Sequence, residues 1–335
     1  MSRAATARAH PNIALAKYWG KAPGAGNAPA VPSLSVTLAG LSTTTSVRFD
    51  PALGADALVL NGREAGGREL ARASELLDRV RARAGLACPA LVESQNDFPT
   101  ASGLASSASG FAALALAAWH AAGLGEAPAE VSDLARRSSA SAARSVYGGF
   151  VELPAGVAGR DEPLPARPLA PAGHLPLAVL VAVTAEGPKA TGSTSGMNET
   201  ERTSPYYEAW VRHAGALFRE IREALLAGDL PRLGEAAEAS ALAMHASALA
   251  ARPGLLYWTG ATVEALARVR ALRAAGVGVW ATIDAGPHVK ALCAPGDAER
   301  VASGLAGAPG VLRVLRASPG PGAGLVGAAG PAPAP

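Results

Sequence analysis

The feature that most constrains the fold is a strand, a hydroxyl-rich loop and an alanine-rich helix in unbroken succession. Leu91 to Gln95 reads as a strand. Residues 97–110 then read Asp-Phe-Pro-Thr-Ala-Ser-Gly-Leu-Ala-Ser-Ser-Ala-Ser-Gly, and a helix runs from Leu104 to His120. Small residues occupy most faces of that helix, so it belongs inside a domain rather than on its surface. The loop suits a polyanion. Its glycines admit close backbone approach, its hydroxyls donate, and the free N–H groups of the helix start point at the ligand with the positive dipole end behind them. The competing reading is a serine-rich helix start that only caps itself. No lysine follows Gly110 and no Gly-x-Ser-x-Gly is present, which excludes a Walker A loop and a nucleophile elbow.

A chain of 335 residues suits one large domain or two lobes with a sizeable core. Aromatic residues make up only 4%, so Ala, Leu and Val must build that core. The net charge of +3 is scattered, without a Lys/Arg run, which argues against a nucleic-acid partner. Cys88 and Cys293 form no metal motif, and the six histidines have no ligand spacing, so none is assigned catalysis. The N-terminus lacks an apolar signal region, and no apolar run approaches the roughly 20 residues a membrane span needs. These points predict a cytoplasmic protein without a membrane partner.

Elsewhere, residues 33–49 resemble a pair of strands, and Glu69 to Arg83 carries a helical stripe. Ser132 starts a further helix, and Tyr147 to Leu153 reads as a strand. The Pro/Gly/Ala-rich segment 154–176 marks a boundary, and Leu177 to Val183 reads as a central strand. Helical patterns occupy 204–228, 231–250 and 258–275. Strands at Val277 to Ile283 and Val289 to Cys293 then flank a turn. The mixture lacks regular βαβ alternation, which predicts an α+β fold.

Four further segments carry polar chemistry. His-Pro-Asn-Ile-Ala-Leu-Ala-Lys-Tyr-Trp-Gly-Lys (10–21) offers Lys17 and Lys21 as anion binders, or as solvated lysines on an edge strand. Residues 137–150 place Arg144 in a serine-rich turn, either as a planar fork for an oxyanion or as a helix-closing surface residue. In Thr-Ile-Asp-Ala-Gly-Pro (282–287), Asp284 ends a strand and either enters a cleft or closes an Asx-turn. Thr191 to Met197 reads as a flexible hydroxyl-rich loop.

In this order the segments resemble the diphosphomevalonate decarboxylase family of the GHMP kinase superfamily, across roughly residues 8–320. The resemblance implies a two-lobed GHMP fold, with a ribosomal-protein-like N-terminal lobe over 1–175 and a ferredoxin-like C-terminal lobe over 176–318. The active site lies in the cleft between them, and 319–335 form a disordered tail. It implies that ATP phosphorylates the 3-hydroxyl of mevalonate 5-diphosphate. Loss of that phosphate and of CO2 gives isopentenyl diphosphate, within a homodimer. Asp284 would accept or orient the hydroxyl proton, Lys17 would keep Asp284 ionised, and Arg144 would clamp the carboxylate. Substrate contacts map onto Tyr18, Trp19, Gly20, Lys21, Arg72, Ser139, Ala140, Ser141, Ala142, Ala143, Arg144 and Thr194. ATP contacts map onto Ser94, Asn96, Ser102, Gly103, Leu104, Ala105, Ser106, Ser107, Ala108 and Ser109, with Ser107 beside Mg2+. Ala140 and Ala143 stand where the family carries glycine and cysteine, which leaves open mevalonate 5-phosphate as the substrate. A 3-kinase that stops after phosphorylation is a further alternative, and an RNA-binding protein is a distant one.

Overall fold

The computed structural model describes residues 3–24, 26–98, 106–187 and 190–327. β1 (Arg3–Ala9) and β2 (Asn12–Ala16) enter different sheets. So do β3 (Ser33–Thr37) and β4 (Thr43–Phe49), which corrects the expectation that residues 33–49 pair with each other. Their burial shows why. Every residue of β3 is buried, so both its faces are covered, whereas β4 alternates buried with half-buried positions.

β5 (Ala57–Leu60) and β6 (Arg63–Ala65) form a hairpin ahead of α1 (Gly67–Ala84). α1 buries Ala73, Leu76, Leu77 and Val80. It carries Glu69 in its first turn and Arg81 and Arg83 in its last, the polarity its dipole favours. β7 (Ala90–Asn96) pairs with β4 and β5 and leads toward α2 (Ser106–Ala121). Ala112, Ala113, Ala115, Ala117 and Ala118 of α2 are inaccessible, as their small side chains on several faces lead one to expect. α3 (Pro128–Ser138) starts at Pro128 rather than Ser132, because proline suits the first helical turn. α4 (Ala140–Ser145) packs with α3 against α2. β8 (Phe150–Leu153) and β9 (Arg167–Ala170) complete a sheet ordered β2-β3-β8-β9.

β10 (Ala178–Val183) begins the third sheet. α5 (Ser193–Thr203), α6 (Tyr207–Leu226), α7 (Leu230–Leu249) and α8 (Gly260–Ala274) follow. α5 corrects the loop reading of 191–197: Gly196, Met197 and Thr200 recur at helical spacing on its buried side. Then come β11 (Val279–Ile283), β12 (Val289–Cys293), α9 (Ala298–Ala306) and β13 (Arg313–Ala317). The order β11-β12-β10-β13, antiparallel throughout, is a split βαβ sheet with α8 and α9 in the crossovers. β10 is interior, as its apolar run predicts. Val179 and Val181 pack with Ile13, Leu15, Leu34 and Val36, while Leu180 and Ala182 pack with residues of α8 and α9. The first of these cores joins the second and third sheets, and the site lies at the same junction.

β14 (Gly324–Leu325) pairs with β1 on the edge of the first sheet, and Pro319 bridges Leu38. This corrects the expectation of disorder for 319–327; residues 328–335 lie outside the described residues. The glycine-rich composition here has a packing cause. A Cβ on Gly322 would lie 2.7 Å from both the Gly148 nitrogen and the Val146 oxygen, so two backbones meet where no side chain fits.

Candidate active site

The register of β2 against β3 shifts between Ala14 and Ala16, a bulge of the kind that re-aims the residues beside it. Lys17 follows directly and is buried. Its Nζ donates to the Ala14 carbonyl at 2.8 Å and to Asp284 Oδ1 at 2.6 Å. Asp284 stands where β11 ends, and its turn is closed by Gly286 N–H donating to the Asp284 carbonyl at 2.7 Å. The structure therefore joins two motifs that lie 267 positions apart in sequence.

A second ammonium faces the same carboxylate. Lys290 of β12 is fully buried, with Nζ 3.1 Å from Asp284 Oδ2. Burial alone would raise Asp284. The charges of the two lysines, with the Lys17 hydrogen bond, reverse that and hold its carboxyl well below the usual carboxylate range. Burial pushes Lys17 down to about 8, against the opposing pull of Asp284. His245 on α7 also meets this turn, its Nε2 donating to the Asp284 carbonyl at 3.2 Å. Burial, with the Lys17 charge, pushes His245 down to about 4, so its ring is neutral near pH 7. Sequence reasoning missed Lys290 and His245. Their strand and helix look apolar and buried, and only the contact across the fold gives them meaning.

Arg144 lies in the last turn of α4 and is buried. Nε donates to Ser35 Oγ at 2.9 Å, Nη1 to Ser33 Oγ at 2.7 Å and Nη2 to Asn12 Oδ1 at 3.3 Å. Asn12 in turn donates to the Ser141 carbonyl and to Ser145 Oγ. The surface-arginine alternative is thereby removed. Burial lowers Arg144 to about 10, partly offset by Asp284, so it stays charged near neutrality. Each Nη carries a second N–H, which preserves a two-point donor face.

Lys21 and Arg72 form a separate cationic pair. Each is lowered chiefly by burial, and the Arg72 charge lowers Lys21 further. Arg72 donates from Nη2 to the Ser138 carbonyl at 2.7 Å, beside half-buried Ser139 and Ser141. Ala140, Ala142 and Ala143 point into the core, so any ligand contact there falls to their backbone. Trp19 is likewise buried, among Met197, Trp210 and Tyr257. Gly20 has φ +108, and a Cβ there would overlap the Tyr207 hydroxyl. Tyr18 is half-buried, and burial raises its hydroxyl above the ordinary range. Thr194 is exposed in the first turn of α5.

Of the serine-rich loop, Ser102, Gly103, Leu104 and Ala105 lie outside the described residues. Ser106 and Ser107 open α2, with Ser107 exposed and no acidic residue in the first turn. That chemistry fits a nucleotide phosphate with its magnesium. Ala108 and Ser109 turn the other way: both are inaccessible, and the Ser109 hydroxyl pairs with Thr43 Oγ1 at 2.7 Å. Asn96 and Ser94 form cross-strand bonds with Thr43 and Thr45, a hydroxyl ladder beneath the helix start. Ser109 is thus held inside the fold, while Ser107 faces out.

Residues 9–163 match the model of the diphosphomevalonate decarboxylase-like N-terminal domain. Residues 179–307 match that of the mevalonate 5-diphosphate decarboxylase C-terminal domain. The phosphomevalonate decarboxylase of Haloferax volcanii is 35% identical over 286 residues, covering 85% of this chain and 86% of its own. Among solved structures, the mevalonate diphosphate decarboxylase of Staphylococcus aureus superposes with a TM-score of 0.92 at 37% identity, covering 97% of this chain and 98% of that one. The protein abbreviated MDDEF, held with MVAPP, AMPPCP and magnesium, gives 0.90 at 40% identity, covering 97% and 99%.

Proposed function

The chain belongs to the diphosphomevalonate decarboxylase family, whose reaction is the ATP-dependent decarboxylation of mevalonate 5-diphosphate, and we propose that Asp284, Lys17 and Arg144 carry that chemistry. The observation that supports this most is the Lys17–Asp284 contact at 2.6 Å with buried Arg144 in the same electrostatic neighbourhood. Phosphoryl transfer asks a protein for positioning and charge neutralisation more than for covalent help. Asp284 is more open than the two lysines against it: its side chain is 26% exposed, against 1% for Lys17 and 0% for Lys290. So acidic a carboxylate accepts a hydrogen bond well and a full proton poorly. Its role is therefore to orient the 3-hydroxyl, while Lys17 stabilises charge as the phosphate transfers.

The free N–H groups of Arg144 are assigned to the substrate carboxylate. That contact fixes the C–C bond that breaks. Lys21, Arg72 and the open hydroxyls of Ser139 and Ser141 are assigned to the diphosphate end. Ser106 and Ser107 at the start of α2, with the loop before them, are assigned to the ATP phosphates, and Ser107 to magnesium. When bound, magnesium supplies charge neutralisation between those phosphates. The same reading makes the protein a cytoplasmic homodimer. Family resemblance supports that state, and light scattering tests it. No helix among the described residues is long and apolar enough to cross a membrane.

A second reading has a specific observation in its favour. The Haloferax volcanii relative is named for the monophosphate substrate. Parallel assays of mevalonate, its 5-phosphate and its 5-diphosphate with ATP and Mg2+ decide the matter. CO2 and ADP released together from the diphosphate support the first reading. Turnover of the monophosphate alone supports the second, and ADP without CO2 reduces the protein to a kinase.

A further inference from the structure

Two ammonium groups lie behind Asp284, and the chemistry above uses one of them. Lys290 is the second residue of β12, paired between Val181 of β10 and Thr282 of β11. The rest of that strand is apolar, and all of it is buried. A lysine within a fully buried interior strand is a costly choice, and an aliphatic residue would pack there without that cost. Its Nζ lies 3.1 Å from Asp284 Oδ2, yet neither atom makes an aligned hydrogen bond among the described residues. Two lysines against one carboxylate leave this trio with a net charge of +1.

We propose that Lys290 is a positioning residue, which with Lys17 grips both oxygens of Asp284 from the protein side and fixes the plane in which that carboxylate meets the reacting hydroxyl. This rests on the assignment of Asp284 made above. One lysine on Oδ1 leaves the carboxylate free to turn about its Cβ–Cγ bond. A second on Oδ2 removes that freedom without covering the outward edge. The groups that face Asp284 are Lys17 at the end of β2, Lys290 on β12, His245 on α7 through the Asp284 carbonyl, and Arg144 on α4 by charge alone. A buried charge kept in excess of its partners marks a place where stability yields to function.

The test compares Lys290→Met and Lys290→Arg with the wild-type enzyme in steady-state kinetics, pH profiles and thermal melts. Lys290→Met is expected to lower kcat about 100-fold, the scale of a misplaced reacting group. KM should change little, and the melting temperature should hold or rise, because the trio becomes a neutral pair. The acidic limb of kcat should move up by about 1–3 pH units as Asp284 loses one of its two cations. Lys290→Arg should recover part of the rate. A Lys290→Met variant with wild-type kcat overturns the proposal. So does a loss of rate that is uniform across pH and accompanied by a lower melting temperature, since that makes Lys290 structural. Wild-type protein that turns over none of the three mevalonate compounds refutes the family activity instead, which keeps the two failures distinct.

Discussion

Replacing Asp284 with asparagine keeps the shape of the side chain and removes its charge. Two ammonium groups, at 1% and 0% exposure, are then left with no carboxylate between them. Removing one partner of a buried pair costs about 3–5 kcal/mol. Asp284 is itself 26% exposed, so water reaches its vacated position, and the lower end of about 3 kcal/mol is the better expectation. For lobes of this size that corresponds to a fall in Tm of about 6–12 °C. The deficit should depend on pH in a defined direction. Lys17 is already pushed down to about 8 by burial, and Asp284 is the group that raises it. Without Asp284 its folded pKa falls further, while the unfolded lysine keeps its proton up to about 10.4. Between those two values the unfolded state binds more protons, so the stability of the variant rises with pH. Calorimetry near neutrality and again near pH 9.5 should show the gap to wild type narrowing. Decarboxylation should be lost at both pH values, while titration with AMPPCP and Mg2+ still shows nucleotide binding. An Asp284→Asn variant that melts with the wild type near pH 7 refutes the buried three-charge arrangement, and one that still releases CO2 at the wild-type rate refutes the role of Asp284.

The wild-type pH–rate profile should fall above about pH 8, where Lys17 sheds its proton, and show no acidic limb from Asp284 near neutrality. A rate that stays flat to pH 10 contradicts this. Arg144→Lys keeps a charge but loses the fork to Ser33, Ser35 and Asn12. It should lower kcat about 100-fold in CO2-release assays. Ser107→Ala should weaken AMPPCP–Mg2+ binding about 10-fold in titration calorimetry, the value of one hydrogen bond to a charged group, with mevalonate 5-diphosphate binding unchanged. Gly322→Ala forces a methyl against the Gly148 and Val146 backbone and should cost about 1–3 kcal/mol in denaturant unfolding, without altering KM.

Much of the site was legible wherever a residue type announces a chemistry at one place in the chain. Lys17, Arg144 and Asp284 each stand in a short polar motif, and the structure brings Lys17 onto Asp284 with Arg144 within reach of both charges. Arg72 and Lys21 also fell together. What could not be read was the set of groups whose role exists only across the fold. Lys290 sits among apolar neighbours and reads as an ordinary strand residue until β11 and β12 pair. Ser33 and Ser35 read as strand hydroxyls, and nothing near them announces that they hold a guanidinium. In the fold, period and composition placed most elements, including the buried α2 and the interior β10. Errors came where composition stood in for contact. Residues 191–197 looked like a loop because hydroxyls dominate them, yet the buried face of α5 includes Gly196, and Gly196 fits against Trp19 and Tyr257. The tail looked disordered because proline and glycine dominate it, yet those residues allow it to pass close to another backbone.

The pairing of β14 with β1 has a consequence for biosynthesis. Val326 N–H donates to the Thr6 carbonyl, and Ala7 lies opposite Leu325. One edge strand of the first sheet is thus made before every strand of the third sheet, and its cover after all of them. Throughout translation of the second and third sheets β1 stands as an open edge, with unpaired backbone donors and acceptors available to any other nascent strand. Among the described strand pairings this one closes the longest loop, and so has the largest loop-closure entropy to overcome, for a strand of only two residues. The enzyme therefore completes its first sheet only after the second and third exist, and the order in which its sheets are begun is not the order in which they are completed.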